Sequence, residues 1–388
     1  MADYSTVDDT SWSDYSSVDD NSPFNITEDE VKYWVYSLED TIIITIIIPI
    51  ILCLGVINNS AFLFVMFRVP TMRSATNIYL MHLALADLLY LTVTSIVHNI
   101  LSYAASPQVA FFSISKSLAA CFIFEFLKNT GYFASIALIT TVSLERYLAV
   151  CHPIKHLKVR GRRRTNTLVT ICWFVGLIFA CSTTLGTSAQ NYKIIVEWPE
   201  EYPDYPTEIT YCIPVHNRLI TFAVPVAIVP WFVAMISSVF MYVRIIYALN
   251  KRSSATFMKG TDHKAQQSRN KVAQVLIANG VVFFICQTPS VVIILINYVF
   301  HMTQPDTVTE GLYTLLRNGP WFSNLPLLIN TVVNPLIYGT IHAQYRSAFI
   351  QAFRCNTGSS QPQLDTHIPH MTKGARNSND TETDVTIL

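Results

Sequence analysis

Seven long apolar runs, near residues 41–67, 78–103, 118–150, 168–190, 218–249, 272–301 and 312–341, dominate this chain. About 20 apolar residues suffice for a helix to cross the ~30 Å hydrocarbon layer of a bilayer. Each run is long enough to span it. Inside lipid no water is available to backbone amides, so each segment must satisfy its own, which helices do and isolated strands cannot. The expected fold is an all-α membrane protein, a seven-transmembrane helix bundle. The third, fifth and sixth runs exceed the hydrocarbon thickness, which predicts tilt or helix continuing beyond the bilayer. With 51% hydrophobic and 13% charged residues, the length does not imply several soluble domains.

Loop charges orient the bundle. Arg68 and Arg73 follow the first run; Lys155, Lys158, Arg160, Arg162, Arg163 and Arg164 follow the third; Lys251, Arg252, Lys259, Lys264 and Arg269 follow the fifth. Basic loops stay on the cytoplasmic side. Glu197, Glu200, Glu201, Asp204 and Glu208 lie between the fourth and fifth runs with Lys193 as the one base. Seven crossings then put the N-terminus outside and the C-terminus inside, as a multi-pass protein of the plasma membrane. No signal-peptide pattern opens the chain, so the first apolar run is expected to direct insertion. Asn25-Ile26-Thr27 is a glycosylation acceptor on the outer side, whereas Asn379-Asp380-Thr381 lies inside and Asn58-Asn59-Ser60 in the bilayer. Only Asn25 should carry glycan.

Four regions follow. Residues 1–40 are an acidic tail, with Asp3-Tyr4-Ser5-Thr6-Val7-Asp8-Asp9 recurring as Asp14-Tyr15-Ser16-Ser17-Val18-Asp19-Asp20; such composition predicts disorder. Residues 41–341 form the bundle. Residues 342–354 place Tyr345, Phe349 and Phe353 on one helical stripe, predicting a short amphipathic eighth helix on the membrane surface. Residues 355–388 are a polar tail of similar disorder.

Three constellations carry chemistry. Glu145-Arg146-Tyr147 stands at the inner end of the third run. An acid beside an arginine at a membrane boundary makes a breakable pair; the alternative is an interfacial arginine that snorkels to water. Asn334-Pro335-Leu336-Ile337-Tyr338 closes the seventh run, where proline frees a carbonyl and asparagine can satisfy groups left unpaired. Asp87 sits at mid-bilayer depth in the second run. A buried acid is costly there and must face the interior, with Ser135, Asn330 and Asn334 as candidate partners.

These motifs, each in its own helix, resemble a rhodopsin-like (class A) G-protein-coupled receptor of the peptide-binding type. Asn59, Trp173 and Pro289 extend the resemblance to the first, fourth and sixth helices. It implies an extracellular ligand, a heterotrimeric G protein inside, and rearrangement of Arg146 and Tyr338 as helix six swings outward, with Glu145, Tyr147, Tyr242, Phe283, Pro289, Asn334 and Pro335 as the other activation residues. It also implies a sodium site at Asp87, Ser135, Asn330 and Asn334, favouring the inactive state. No other cofactor is expected. Cys121 opens the third run and Cys212 precedes the fifth, both on the oxidising face; a disulfide is expected, as the family makes one, against the alternative of two free thiols. The chain departs from the family at Gln287, where most relatives have tryptophan, at Asn58 in place of glycine, in the prolines of the fifth run, and in lacking a late proline in the fourth.

Lys128 stands where amine receptors place an aspartate, and Leu328 where a retinal receptor needs lysine. Both ligand types are therefore disfavoured. Lys128 either anchors a ligand carboxylate or carbonyl, or pairs with Glu125 one turn earlier. His98, Asn99, Glu125, Lys128, Asn129, Asn297, Arg317, Trp321 and Asn324 lie near the outer helix ends and are the candidate pocket residues; the alternative for most is an ordinary polar rim. The acidic outer surface steers a cationic ligand, which fits a basic or amidated neuropeptide. The resemblance leans towards neuromedin, neurotensin and thyrotropin-releasing-hormone receptors, implying Gq coupling.

In the inner tail, Cys355 is a palmitoylation candidate, and its serines and threonines are acceptors for a receptor kinase that would recruit arrestin. Thr386-Ile387-Leu388 matches a PDZ ligand. No nucleic-acid partner is indicated, and no enzyme motif is present: neither His-Glu-x-x-His nor Gly-x-Ser-x-Gly nor a phosphate-cradling loop occurs. Two other classes compete. A transporter would need repeated halves with broken helices, whereas Asp87 is the one acid deep in the core. A non-signalling scavenger receptor is favoured by Gln287 and opposed by Glu145-Arg146-Tyr147.

Overall fold

The expected exposure pattern of a lipid-soluble helix is the reverse of a soluble one: apolar outside, polar within. Helix one, Leu38–Arg68, shows it, with Ile42, Ile46, Ile50, Leu54, Ile57 and Phe64 exposed along one side while Asn59 is fully buried. This computed structural model describes residues 23–110, 113, 116–159, 161–216, 218–257, 263–303, 310–341 and 343–353.

Among the described residues, six helices contain stretches long and apolar enough to cross a membrane: Leu38–Arg68, Ala75–Ala105, Leu118–Cys151, Arg162–Thr187, Arg218–Lys251 and Leu276–Phe300. Helix seven, Glu310–Ile341, follows. Helix five continues to Phe257 and helix six starts at His263, so both run past the apolar stretch, as their lengths predicted. The chain has the all-α membrane fold, with a short helix Ala343–Phe353 after the bundle. Tyr345 in that helix turns inward and stacks on Phe62 of helix one at 5.5 Å, while Phe349 and Phe353 are exposed. The described residues up to Ala352 form one compact unit.

Helix three is the central element, touching helices two, four, five and six as well as the second outer loop. Close approach is made by small residues. A Cβ on Gly131 would lie 2.8 Å from the Ala86 carbonyl oxygen and 2.9 Å from the Tyr90 nitrogen, so helices two and three meet backbone to backbone there. Helix one is tied to helix seven by Asn59, whose Nδ2 donates to the carbonyls of Thr331 and Gly55, each at 2.9 Å.

Two boundaries differ from expectation. Helix four spans Arg162–Thr187 rather than 168–190, because residues Gln190–Glu197 leave the helix as strand β2 and pair antiparallel with β3, Glu208–Ile213. The end of the amino-terminal tail is folded rather than disordered. Strand β1, Phe24–Asn25, adds to β2 in parallel, and Glu28–Trp34 is helical, with Thr27 and Glu30 forming a capping box. Five apolar side chains pay for that order: Ile26, Val31, Val109, Val196 and Ile209 are buried together under Trp34, Trp198 and Tyr211. The tail's Glu28 and Asp29 sit on the outer surface of this small core, as do Glu200, Glu201 and Asp204 of the second outer loop, all exposed.

Candidate functional site

The outer end is organised around Glu125 of helix three. Its Oε1 lies 2.5 Å from Lys128 Nζ and accepts from Asn129 Nδ2 at 3.4 Å, while Oε2 is 3.6 Å from His98 Nε2. Asn129 also donates to Thr184 Oγ1 of helix four at 3.1 Å. Spacings of three and four residues put Glu125, Lys128 and Asn129 on one helix face, so the pairing reading of Lys128 is what the structure contains. Lys128 retains 25% exposure of its side chain, so the paired cation is not sealed in the bundle. Above the cluster, Cys121 and Cys212 form a disulfide that fastens β3 to the head of helix three.

The other expected pocket residues divide. Asn99 is buried, donating to the Thr94 carbonyl at 2.6 Å. Trp321 donates from Nε1 to Asp40 Oδ1 at 2.5 Å, and Asn324 is half-buried one turn below it. Asn297 is exposed near the outer end of helix six, one turn beyond the buried Ile293 on the same helix face. The Arg317 side chain lies outside the described residues. Beside the rim, burial first, then the Asp40 carboxylate and Tyr103, push the Tyr36 phenol up to about 12; Tyr36 is a neutral group at physiological pH.

At mid-depth Asp87 is buried, with Oδ1 accepting from Ser135 Oγ at 3.2 Å and Oδ2 from Asn334 Nδ2 at 2.6 Å. Three of the four residues expected around a sodium ion are thus brought into contact. Asn330 Oδ1 and Asn334 Oδ1 are buried with no hydrogen-bond partner. One carboxylate, a hydroxyl and two orphaned amide oxygens make an all-oxygen donor set, which fits a small hard cation. Gln287 is buried and leaves Oε1 unpartnered, as Trp231 of helix five leaves Nε1.

The inner end corrects one expectation. Glu145 does not pair with Arg146. Glu145 Oε1 lies 2.6 Å from the Arg164 guanidinium of helix four and Oε2 3.4 Å from His156 Nε2, whereas Arg146 donates to Thr76 Oγ1 of helix two at 2.5 Å. Adjacent helical residues diverge by about 100°, so Glu145 faces the helix-four side and Arg146 the helix-two side. Tyr147 Oη is 3.2 Å from His152 Nε2. Tyr242 is buried, sharing a 2.7 Å hydrogen bond with Ser143 Oγ. Phe283 is fully buried and Pro335 is buried, while helix six runs unbroken through Pro289. The Tyr338 side chain, Cys355, Thr386 and Leu388 lie outside the described residues.

Asp40, Thr76, Ser143, His156, Arg164 and Thr184 were missed by the sequence reading. Each meets its partner across a gap that no periodicity spans. Arg164 alone left a signal, as the last of three arginines beside an inner helix end.

Comparison with known proteins agrees with this geometry. A neuromedin U receptor homolog of Caenorhabditis elegans is 27% identical over 78% of this chain and 77% of its own length. Neuromedin-U receptor 2 of Mus musculus is 27% identical over 79% and 74%, and the neuropeptide CCHamide-1 receptor of Drosophila melanogaster 26% identical over 83% and 62%. The family model of the 7 transmembrane receptor (rhodopsin family) matches residues 58–338. That range contains the buried Asp87 site, the Glu145-Arg146-Tyr147 corner and the seventh-helix Asn334-Pro335, and the chain belongs to the rhodopsin family of seven-transmembrane, G-protein-coupled receptors.

Proposed function

We propose that this receptor is activated by an extracellular neuropeptide, basic or amidated, and signals through a Gq-type G protein. The observation that carries the reading is the Glu125 cluster: a paired, part-exposed lysine with His98 and Asn129 under a disulfide-anchored hairpin. A polar floor that already holds its own counter-charge suits the amides and mixed charges of a peptide better than a lone ammonium. The acidic outer loop adds steering for cationic ligands, and relatives whose names carry neuromedin U and CCHamide-1 support the same class. Asp87, Ser135, Asn330 and Asn334 would hold a sodium ion, which would supply a fixed positive charge between helices two, three and seven. In the inner tail we place phosphorylation by a receptor kinase, arrestin binding, palmitoylation of Cys355 and a PDZ contact through Thr386 and Leu388.

The deciding experiment is a calcium response in cells carrying this chain and a promiscuous G protein, challenged with a neuropeptide library beside a surface-expressed Arg146→Ala control. A response lost in the control supports signalling and identifies the peptide. Binding of a peptide without any response would replace this reading with the scavenger receptor. The outside placement of the N-terminus is tested by glycosidase: a mobility shift that Asn25→Gln abolishes supports it, and glycan on Asn379 refutes it.

A further inference from the structure

One stretch of amino-terminal chain touches the second outer loop, the first outer loop and helix seven in succession. Ile26 N donates to the Glu197 carbonyl at 3.0 Å, Ala110 N to the Trp34 carbonyl at 2.8 Å, and Tyr36 N to the Gln108 carbonyl at 3.2 Å. The Tyr36 ring then meets Tyr103 edge-on at 5.2 Å. The series ends at Asp40, whose two carboxylate oxygens have different partners. Oδ2 accepts from Ser37 N and Ser37 Oγ, each at 2.8 Å, closing the cap of helix one. Oδ1 accepts from Trp321 Nε1, 281 residues away in sequence.

The cap alone would need only one of those oxygens. An indole N–H at the bundle rim can be satisfied by water; committing it to a carboxylate makes a charge-assisted bond about twice as strong as a neutral one and fixes the ring. Trp321, Tyr36, Tyr103 and Tyr132 each pack against one buried cluster that includes Ile44, Tyr90 and Leu328, and Tyr132 lies one turn below Lys128. Ser135 and Asn334 both bond Asp87; Lys128 stands about 10 Å outward of that level along helix three and Trp321 about 20 Å outward along helix seven, so the ring held by Asp40 lies on the outer side of the polar cluster.

We propose that Asp40 is a positioning residue for Trp321, holding the indole toward helix one and thereby controlling access from outside to the cluster around Glu125 and Lys128. The proposal deepens the peptide-receptor reading and takes the ligand's location from it, yet its test uses no peptide, so either can fail alone.

The full-length chain is expressed at the cell surface with Lys128→Cys as reporter, and labelled with a membrane-impermeant, positively charged methanethiosulfonate; the chain without the reporter sets the background of the native cysteines. Asp40→Ala and Trp321→Phe each speed labelling about tenfold or more, the effect of losing one charge-assisted hydrogen bond, and the double variant is no faster than either. Ser37→Ala, which weakens the cap but leaves Oδ1 on Trp321, keeps the parental rate. Unchanged rates, additive effects, or an acceleration by Ser37→Ala equal to that of Asp40→Ala would overturn the proposal. Trp321→Phe, which removes only the donor and keeps a ring, decides the outcome if Asp40→Ala fails to reach the surface.

Discussion

Glu145 of helix three and Arg164 of helix four form an ion pair of 2.6 Å at the inner end of the bundle, leaving the neighbouring Arg146 to bond Thr76. The carboxylate is largely buried, with a side chain 10% exposed. Removing its cation leaves it with His156 alone, and a buried charged group that loses a partner costs about 2 kcal/mol. Arg164→Ala is expected to lower the melting temperature of the detergent-purified receptor, and Glu145→Gln/Arg164→Ala to recover part of the loss. Equal stability of parent and Arg164→Ala would show the pair to be incidental.

Gly280 of helix six leaves the space that Tyr242 occupies. A Cβ there would stand 1.7 Å from the Tyr242 hydroxyl oxygen and 2.6 Å from Cζ. Alanine in a helix gains about 1 kcal/mol over glycine, but overpacking costs about 1–3 kcal/mol, and the ring must also leave Ser143. Gly280→Ala should therefore destabilise the receptor. Tyr242→Phe in that background should not rescue it, because Cζ remains too near, whereas Tyr242→Leu should. Thermal melts of the four proteins check the order.

The disulfide of Cys121 and Cys212 closes a loop with a sequence separation of 91 residues, for which chain entropy alone gives a stabilisation of about 4–5 kcal/mol. It also anchors the β2–β3 hairpin on which β1 rests. Cys121→Ser, Cys212→Ser and the double variant should show the same reduced surface expression, and the parent treated with an impermeant reductant should lose the protease resistance of residues 190–213. A double variant clearly worse than either single would mean that each cysteine acts separately.

At Asp87, replacing sodium by N-methylglucamine should lower the melting temperature of the parent. At ten times the dissociation constant a bound ion stabilises by about 1.4 kcal/mol. Asp87→Asn removes the charge but keeps an oxygen toward Ser135, and should abolish the sodium dependence. A sodium effect that survives Asp87→Asn and Asn330→Ala would place the ion elsewhere.

The outer cluster makes a directional prediction for ligands. Lys128→Ala should raise the half-maximal concentration of the activating peptide about tenfold or more, since a charge-assisted contact is worth about 1.5–3 kcal/mol. Glu125→Gln frees the lysine and should favour peptides with acidic groups over amidated ones. Dose-response curves in surface-matched cells test both, and unchanged potency in both variants would remove this cluster from the ligand site.

Much of this was legible in one dimension. Spanning helices are specified by runs of apolar side chains, a local property, and the apolar stretches agreed with the expected runs to within a few residues, while helices five and six continue as helix beyond them. At the outer end of helix four the run was carried three residues too far, to Gln190, where β2 begins. The amino-terminal segment also misled. Its charge predicted disorder, while Ile26 and Val31 find a core only in the second outer loop, far away in sequence.

The sequence by itself determined that this chain spans a membrane as helices, where its basic loops are, and which polar residues must be buried, since the bilayer judges each segment separately. Which partners those residues take was decided by tertiary structure: Glu145 with Arg164 rather than Arg146, Asp87 with Ser135 and Asn334, Asp40 with Trp321. A hydrogen bond is satisfied only within about 3 Å and at the right angle, and which helices bring two side chains that close is settled by close packing at positions such as Gly131 and Gly280, a property of the assembled bundle.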